Sequence, residues 1–102
     1  MLGRLRLAAQ DLDAAAAAFQ HAARLDIHDP RPFADIARLE LSRNRLEAAC
    51  AAQQTAIARD PDQPSRYIIL AGILERLGRT SEAAAAIKQA TALRSSVRPE
   101  GA

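Results

Sequence analysis

Aromatic residues are nearly missing from this chain of 102: two phenylalanines, one tyrosine and no tryptophan. Sheets draw on aromatic and β-branched residues, so the scarcity weighs against them. Cysteine occurs once, as Cys50, which excludes an intrachain disulfide. The four glycines are scattered and form no glycine-rich loop that could cradle phosphate. No apolar run approaches the ~20 residues of a membrane span. The opening Met1-Leu2-Gly3-Arg4-Leu5-Arg6-Leu7 has neither the long apolar segment nor the small-residue cleavage site of a signal peptide. A cytoplasmic location is the resulting expectation. Charge is also nearly balanced, with a formal net charge of +2. No block of five or six like charges appears, so a binder of nucleic-acid backbone is not expected.

What is abundant is alanine and arginine. Lys88 is the sole lysine, and the bias fits a GC-rich genome. Small side chains suit closely crossing helices. The length fits one domain, large enough for a core of modest stability without metal or disulfide.

The chain is periodic. Pro30 returns as Pro64, Phe33 as Tyr67, Ile36 as Leu70, Ala37 as Ala71, Ala49 as Ala83 and Ala56 as Ala90, each 34 residues later (64−30, 67−33 and so on). Counting backward places Ala15, Ala22, Leu2 and Gly3 in the same series. Three copies fit, at about 1–29, 30–63 and 64–95, with a flexible tail over 96–102. A fixed period of this size marks stacked helical units that bury their apolar faces against one another.

Helical spacing of apolar residues predicts six helices in three antiparallel pairs. The first, Leu2 to Ala9, is expected to break at Gln10-Asp11, with Asp11 capping the next, about Leu12 to Leu25. Asp29 caps the third, with Pro30 in its first turn, where a missing N–H costs nothing. Asn44-Arg45 turns into Leu46 to Arg59, and Asp62-Gln63-Pro64 starts the fifth helix. Gly78 ends that helix, and Thr80 caps the sixth, which reaches about Leu93. The repeated alanines mark crossings too close for a larger side chain.

The pattern resembles the tetratricopeptide repeat, with an aromatic residue, Leu-Gly, two spaced alanines around a second aromatic, and a closing proline. The middle copy supplies Phe33, Ile36-Ala37, Ala49, Ala56 and Pro61. The last supplies Tyr67, Leu70-Ala71, Gly78, Ala83, Ile87 and Ala90 without the proline. The first supplies Leu2-Gly3, Ala15, Phe19 and Ala22, with Ile27 where the proline would stand. Sel1-type repeats, which run a little longer, rank second. The resemblance implies an all-α, right-handed solenoid whose concave face is lined by the first helix of each pair.

With Phe33, Ile36, Ala37 and Glu40 projected toward the core, the positions between them face that groove. These are Arg4, Leu7 and Ala8 in the first copy, and Arg31, Ala34, Asp35, Arg38, Leu41 and Ser42 in the second. Ser65, Ile68, Ile69, Gly72, Glu75 and Arg76 follow in the third. Guanidinium groups can hold carboxylates, and the aliphatics can hold apolar side chains. The competing expectation is that Arg38 and Arg76 spend themselves on solvated pairs with Asp35 and Glu75. Family members that clamp a C-terminal carboxylate would need donors where Arg4, Asp35, Ser65 and Ile69 stand, so that mode is set aside. Repeat arrays commonly end in a polar cap, and none follows Leu93. Ile87 and Leu93 are therefore candidates for an end-face interface.

Catalysis needs converging polar groups, and the residues offer none. Cys50 lies among alanines as a small hydrophobe, and His21 and His28 have too few companions for a metal. No enzyme activity, cofactor or metal is expected. Two functions stay open: a scaffold that takes a protein or peptide segment in its groove, or a module that docks by its end faces on another copy or domain.

Overall fold

The computed structural model describes the backbone of residues 2–97 and the side chains of residues 11–95. Among the described residues five helices follow one another: α1 Leu2–Leu25, α2 Pro30–Ser42, α3 Leu46–Arg59, α4 Pro64–Arg76 and α5 Thr80–Val97. Among the described residues there is no strand, and no helix is long and apolar enough to cross a membrane. The pairs α2–α3 and α4–α5 are helical hairpins, and α1 packs on α2 as α3 packs on α4. The body measures 57 × 33 × 22 Å, the elongated shape of a short solenoid.

The hairpins share one turn. The N–H of Arg45 donates to the Glu40 carbonyl (2.8 Å) and that of Asn44 to Leu41 (3.0 Å). Thirty-four residues on, Arg79 donates to Leu74 (2.8 Å) and Gly78 to Glu75 (3.0 Å). This paired closure of the last carbonyls requires a left-handed residue just past the helix. Asn44 (φ 59°) and Gly78 (φ 80°) provide it. At the start of α2, Asp29 Oδ1 accepts from the Arg31 N–H at 3.0 Å, with Pro30 as the first helical residue.

Packing explains the repeated alanines. Ala37, Ala49 and Ala56 are 0% exposed, so the backbones meet through single methyl groups. Adding methylenes there would force strain of about 1–3 kcal/mol. An apolar cluster joins Ala49 and Cys50 of α3 to Leu70, Ala71, Ile73 and Leu74 of α4 and Ala83 and Ala86 of α5.

The first copy departs from expectation. Residues 10 and 11 do not break the chain; α1 runs through them as one helix of 24 residues, about 36 Å long. The described residues form five helices instead of six, and Asp11 sits inside a helix instead of capping one. Gln10 occupies the place of Asn44 and Gly78. Glutamine is a good helix former, and for a residue with a β-carbon that is neither Asn nor Asp a left-handed turn costs about 1–2 kcal/mol. At the other end, the Ala83 N–H bonds to the Arg79 carbonyl at 3.0 Å. Arg79 is thus the capping residue, and Thr80 is the first residue of α5. α5 extends to Val97, two residues into the expected tail; residues 98–102 lie outside the described residues.

Candidate functional site

On α2 and α4 the expected groove positions point away from the hairpin core. At 3.6 residues per turn, Ile68, Ile69 and Gly72 fall opposite Tyr67, Leu70 and Leu74. Ile68 is 39% and Ile69 41% exposed, which is unusual for isoleucine beside a packed core. Gly72 has open space where a β-carbon would point. Ser65, Glu75 and Arg76 are exposed as well. Leu41 is different: half-buried, it packs against the central cluster and serves the core as much as the groove. Arg4 and Leu7 lie within α1, but their side chains are outside the described residues.

The arginines are already engaged. Arg31 grips Asp29 with two parallel bonds, Nε to Oδ1 at 3.0 Å and Nη2 to Oδ2 at 2.8 Å. Hydrogen bonds from the Arg31 side chain, then its backbone, hold the Asp29 carboxyl below the usual aspartate range. Arg38 pairs with Asp35 one turn away, as the solvated-pair expectation had it. Arg76 does not pair with Glu75; its Nη2 reaches Asn44 Oδ1 at 3.0 Å and so ties the two turns together. Arg79 does likewise with Glu47, at 3.1 Å. These contacts are exposed or half-exposed, and such pairs contribute little each. A ligand carboxylate could therefore exchange into the Arg38 pair at small cost.

Three features escaped the sequence reading. Leu39 (7% exposed) and Ile73 (1%) are core residues, on the side of α2 and α4 that meets the preceding unit. Gln53, where the family pattern would place the second aromatic, is 1% exposed. Its Nε2 donates to the Arg66 carbonyl at 2.9 Å, joining α3 to α4. The third is a cavity of about 450 Å³ on the face of α4 opposite Ile68 and Ile69. Tyr67, Leu70 and Leu74 line it with Glu82, Ala86 and Gln89 of α5. The Tyr67 hydroxyl already donates to the Pro61 carbonyl at 2.9 Å.

The residues weighed for chemistry lie apart. Burial pushes the Cys50 thiol above its usual range, so at neutral pH it stays protonated and poorly nucleophilic. His21 and His28 are exposed. Among the described residues no group of three potential ligands could hold a metal ion. At the end of the array Ile87 is 43% exposed, while Leu93 is half-buried. Arg59 lies over the Phe33 ring at 5.9 Å, a cation–π distance, and its Nε donates to the Ile27 carbonyl at 2.6 Å.

Residues 64–96 match the family model of the tetratricopeptide repeat, which covers α4, its turn and nearly all of α5. Among curated proteins none matches the chain in sequence. Solved structures do match in fold. PcrH, crystallised in complex with the chaperone-binding region of PopD, is 26% identical with a TM-score of 0.77, over 96% of this chain and 73% of that one. SycD, a type III secretion chaperone of Yersinia enterocolitica crystallised with a peptide of the translocator YopD, is 19% identical with a TM-score of 0.77, over 98% and 74%. MamA from Desulfovibrio magneticus RS-1 is 18% identical with a TM-score of 0.82, over 95% of this chain and 55% of that one. The fold is a tetratricopeptide-like helical solenoid.

Proposed function

We propose that the protein is a non-enzymatic interaction scaffold that takes an extended or helical protein segment along the concave face of α2 and α4. The observation that carries this reading is the pair Ile68 and Ile69, at 39% and 41% exposure, beside the open backbone of Gly72. Two adjacent isoleucines left in water on a helix with a complete core are better explained by a partner than by folding. Arg38, at the position of Gly72 one repeat earlier, supplies a cation on the corresponding face of α2. The segment that fits has apolar residues flanked by a carboxylate. PcrH and SycD, each solved with a piece of a partner protein, support the class of function. The chemistry of the segment is argued from this chain's own residues.

The test is selection from a random peptide library displayed on phage, followed by titration of the enriched peptides. Peptides with apolar and acidic residues should dominate. Ile69→Asp should weaken them at least tenfold and Arg38→Glu somewhat less, both with molar mass unchanged. Equal binding by wild type and Ile69→Asp would end this reading.

Ile87 favours a second reading, docking of the α5 face on another domain or protein, because it is 43% exposed where the preceding unit is sealed. Ile87→Glu would abolish such docking and leave peptide titrations untouched.

A further inference from the structure

The cavity of about 450 Å³ between α4 and α5 is separate from the concave strip, and its walls have a chemistry of their own. Tyr67, Leu70 and Leu74 line it from α4, and Glu82, Ala85, Ala86 and Gln89 from α5. Each set is one stripe of its helix, at spacings of three and four residues. Each stripe rises about 10 Å, so the cavity is a trough running along the two helices. Ile68 and Ile69 are on the other face of α4. Ile87 lies about 100° or more around α5 from every lining residue.

The floor is apolar: Leu70, Leu74 and Ala86 are 9%, 2% and 7% exposed. The rim is rich in hydrogen-bond acceptors, and no lining residue is basic. The Glu82 carboxylate has no ion-pair partner among the described residues. Gln54 and Gln89 each bring a carbonyl oxygen to the same rim. The Tyr67 hydroxyl gives its proton to the Pro61 carbonyl at 2.9 Å, which leaves its oxygen free only to accept. Such a rim around an aliphatic floor suits a cation on a methylene stem.

The preceding unit shows which cation. Phe33 is the counterpart of Tyr67, and the Arg59 guanidinium lies over the Phe33 ring, 5.9 Å from its centroid. Arg59 Nε also donates to the Ile27 carbonyl at 2.6 Å. One period later Leu93 stands for Arg59 and Pro61 for Ile27. Tyr67 itself serves the Pro61 carbonyl, but a leucine brings no guanidinium to the Tyr67 ring.

We infer that the α4–α5 trough is a second binding site, which takes an extended basic segment of a partner protein. One arginine of that segment stacks on the Tyr67 ring as Arg59 does on Phe33. Apolar side chains follow along Leu70, Leu74 and Ala86. A second basic residue, three positions from the first, meets Glu82, because three residues of extended chain also span about 10 Å. The concave strip calls for carboxylates and the trough for cations. The two sites therefore select opposite segments, and one molecule can join two partners.

Selection from a displayed random peptide library on the Ile69→Asp variant, which spoils the concave strip, tests this site apart from the groove. Peptides with an arginine and a second basic residue three positions away should be enriched, and should bind wild type and Ile69→Asp alike. Leu93→Arg, which restores the guanidinium of the preceding unit, should weaken them at least tenfold, with helicity by circular dichroism retained. Glu82→Gln, at an exposed residue, should weaken them about fivefold, the most an exposed pair contributes. Tyr67→Phe keeps the ring and should change affinity by less than about twofold. A selection without basic peptides overturns the inference. So does binding that Leu93→Arg and Glu82→Gln both leave unchanged, or competition between the basic and the acidic peptides, which would place both in one groove. Basic peptides enriched where acidic ones are not would uphold this site and end the groove reading alone.

Discussion

The α2–α3 and α4–α5 hairpins have the same period, helix lengths within a few residues and the same turn, yet they treat one position in opposite ways. Gln53, a polar residue, is 1% exposed, whereas its apolar counterpart Ile87 is 43% exposed. Side-chain polarity predicts the reverse. What decides is the neighbour: α3 has α4 lying on it, and among the described residues no helix follows α5. Burial in a solenoid belongs to the position in the stack before it belongs to the residue.

The comparison can be broken most forcefully in the core. Ile73→Ala removes a side chain that is 1% exposed between two units and should cost about 2–5 kcal/mol. Ile87→Ala should stay within about 0.5 kcal/mol. Urea unfolding of the two variants measures the contrast, and equal losses would show that α5 has a covered face after all. Gln53→Ala comes next. It removes the bond to the Arg66 carbonyl from a buried site, for about 1–3 kcal/mol. A cost no larger than that of Ile87→Ala would mean that the link between units contributes nothing.

The turns separate the hairpins less sharply. Gly78 stands at φ 80° and Asn44 at φ 59°. Gly78→Ala should cost about 1–2 kcal/mol and Gly78→Asn visibly less, because asparagine already serves at the equivalent turn. Thermal melts of the two variants resolve the order. The smallest effect is expected at Asp29, the half-buried side-chain cap of α2, whereas the starts of α3 and α4 have no side-chain cap bond. Its carboxyl titrates below the ordinary value because Arg31 holds the charged form. The stability it contributes is therefore complete above about pH 3.9 and is lost as pH falls through its lower, folded-state pKa. Asp29→Asn keeps a capping oxygen and should flatten that acid limb, measured as melting temperature against pH. An unchanged limb would place the acid sensitivity elsewhere.

Much of this was legible in the residues. The bounds of α3, the Asp29 cap and the turns at Asn44 and Gly78 follow from signals within a few residues of each site. The break at Gln10-Asp11 was expected from the period and did not form. Periodicity says where a turn would fall, but the residue there must also adopt the backbone angles, and Gln10 does not favour them. Leu39 and Ile73 were missed because a hairpin viewed alone has one buried face, whereas a stacked hairpin has two. The groove was legible only as a set of outward positions; that Arg76 chooses Asn44 over Glu75 depends on a turn 32 residues earlier.

By itself, then, the sequence determined the helices, their caps and the alanine crossings, because each rests on backbone preference or on side-chain volume near at hand. Only the tertiary structure decided which of those faces would be sealed. It put Gln53 in the dark and Ile87 in water, because burial depends on whether another helix arrives from a different part of the chain.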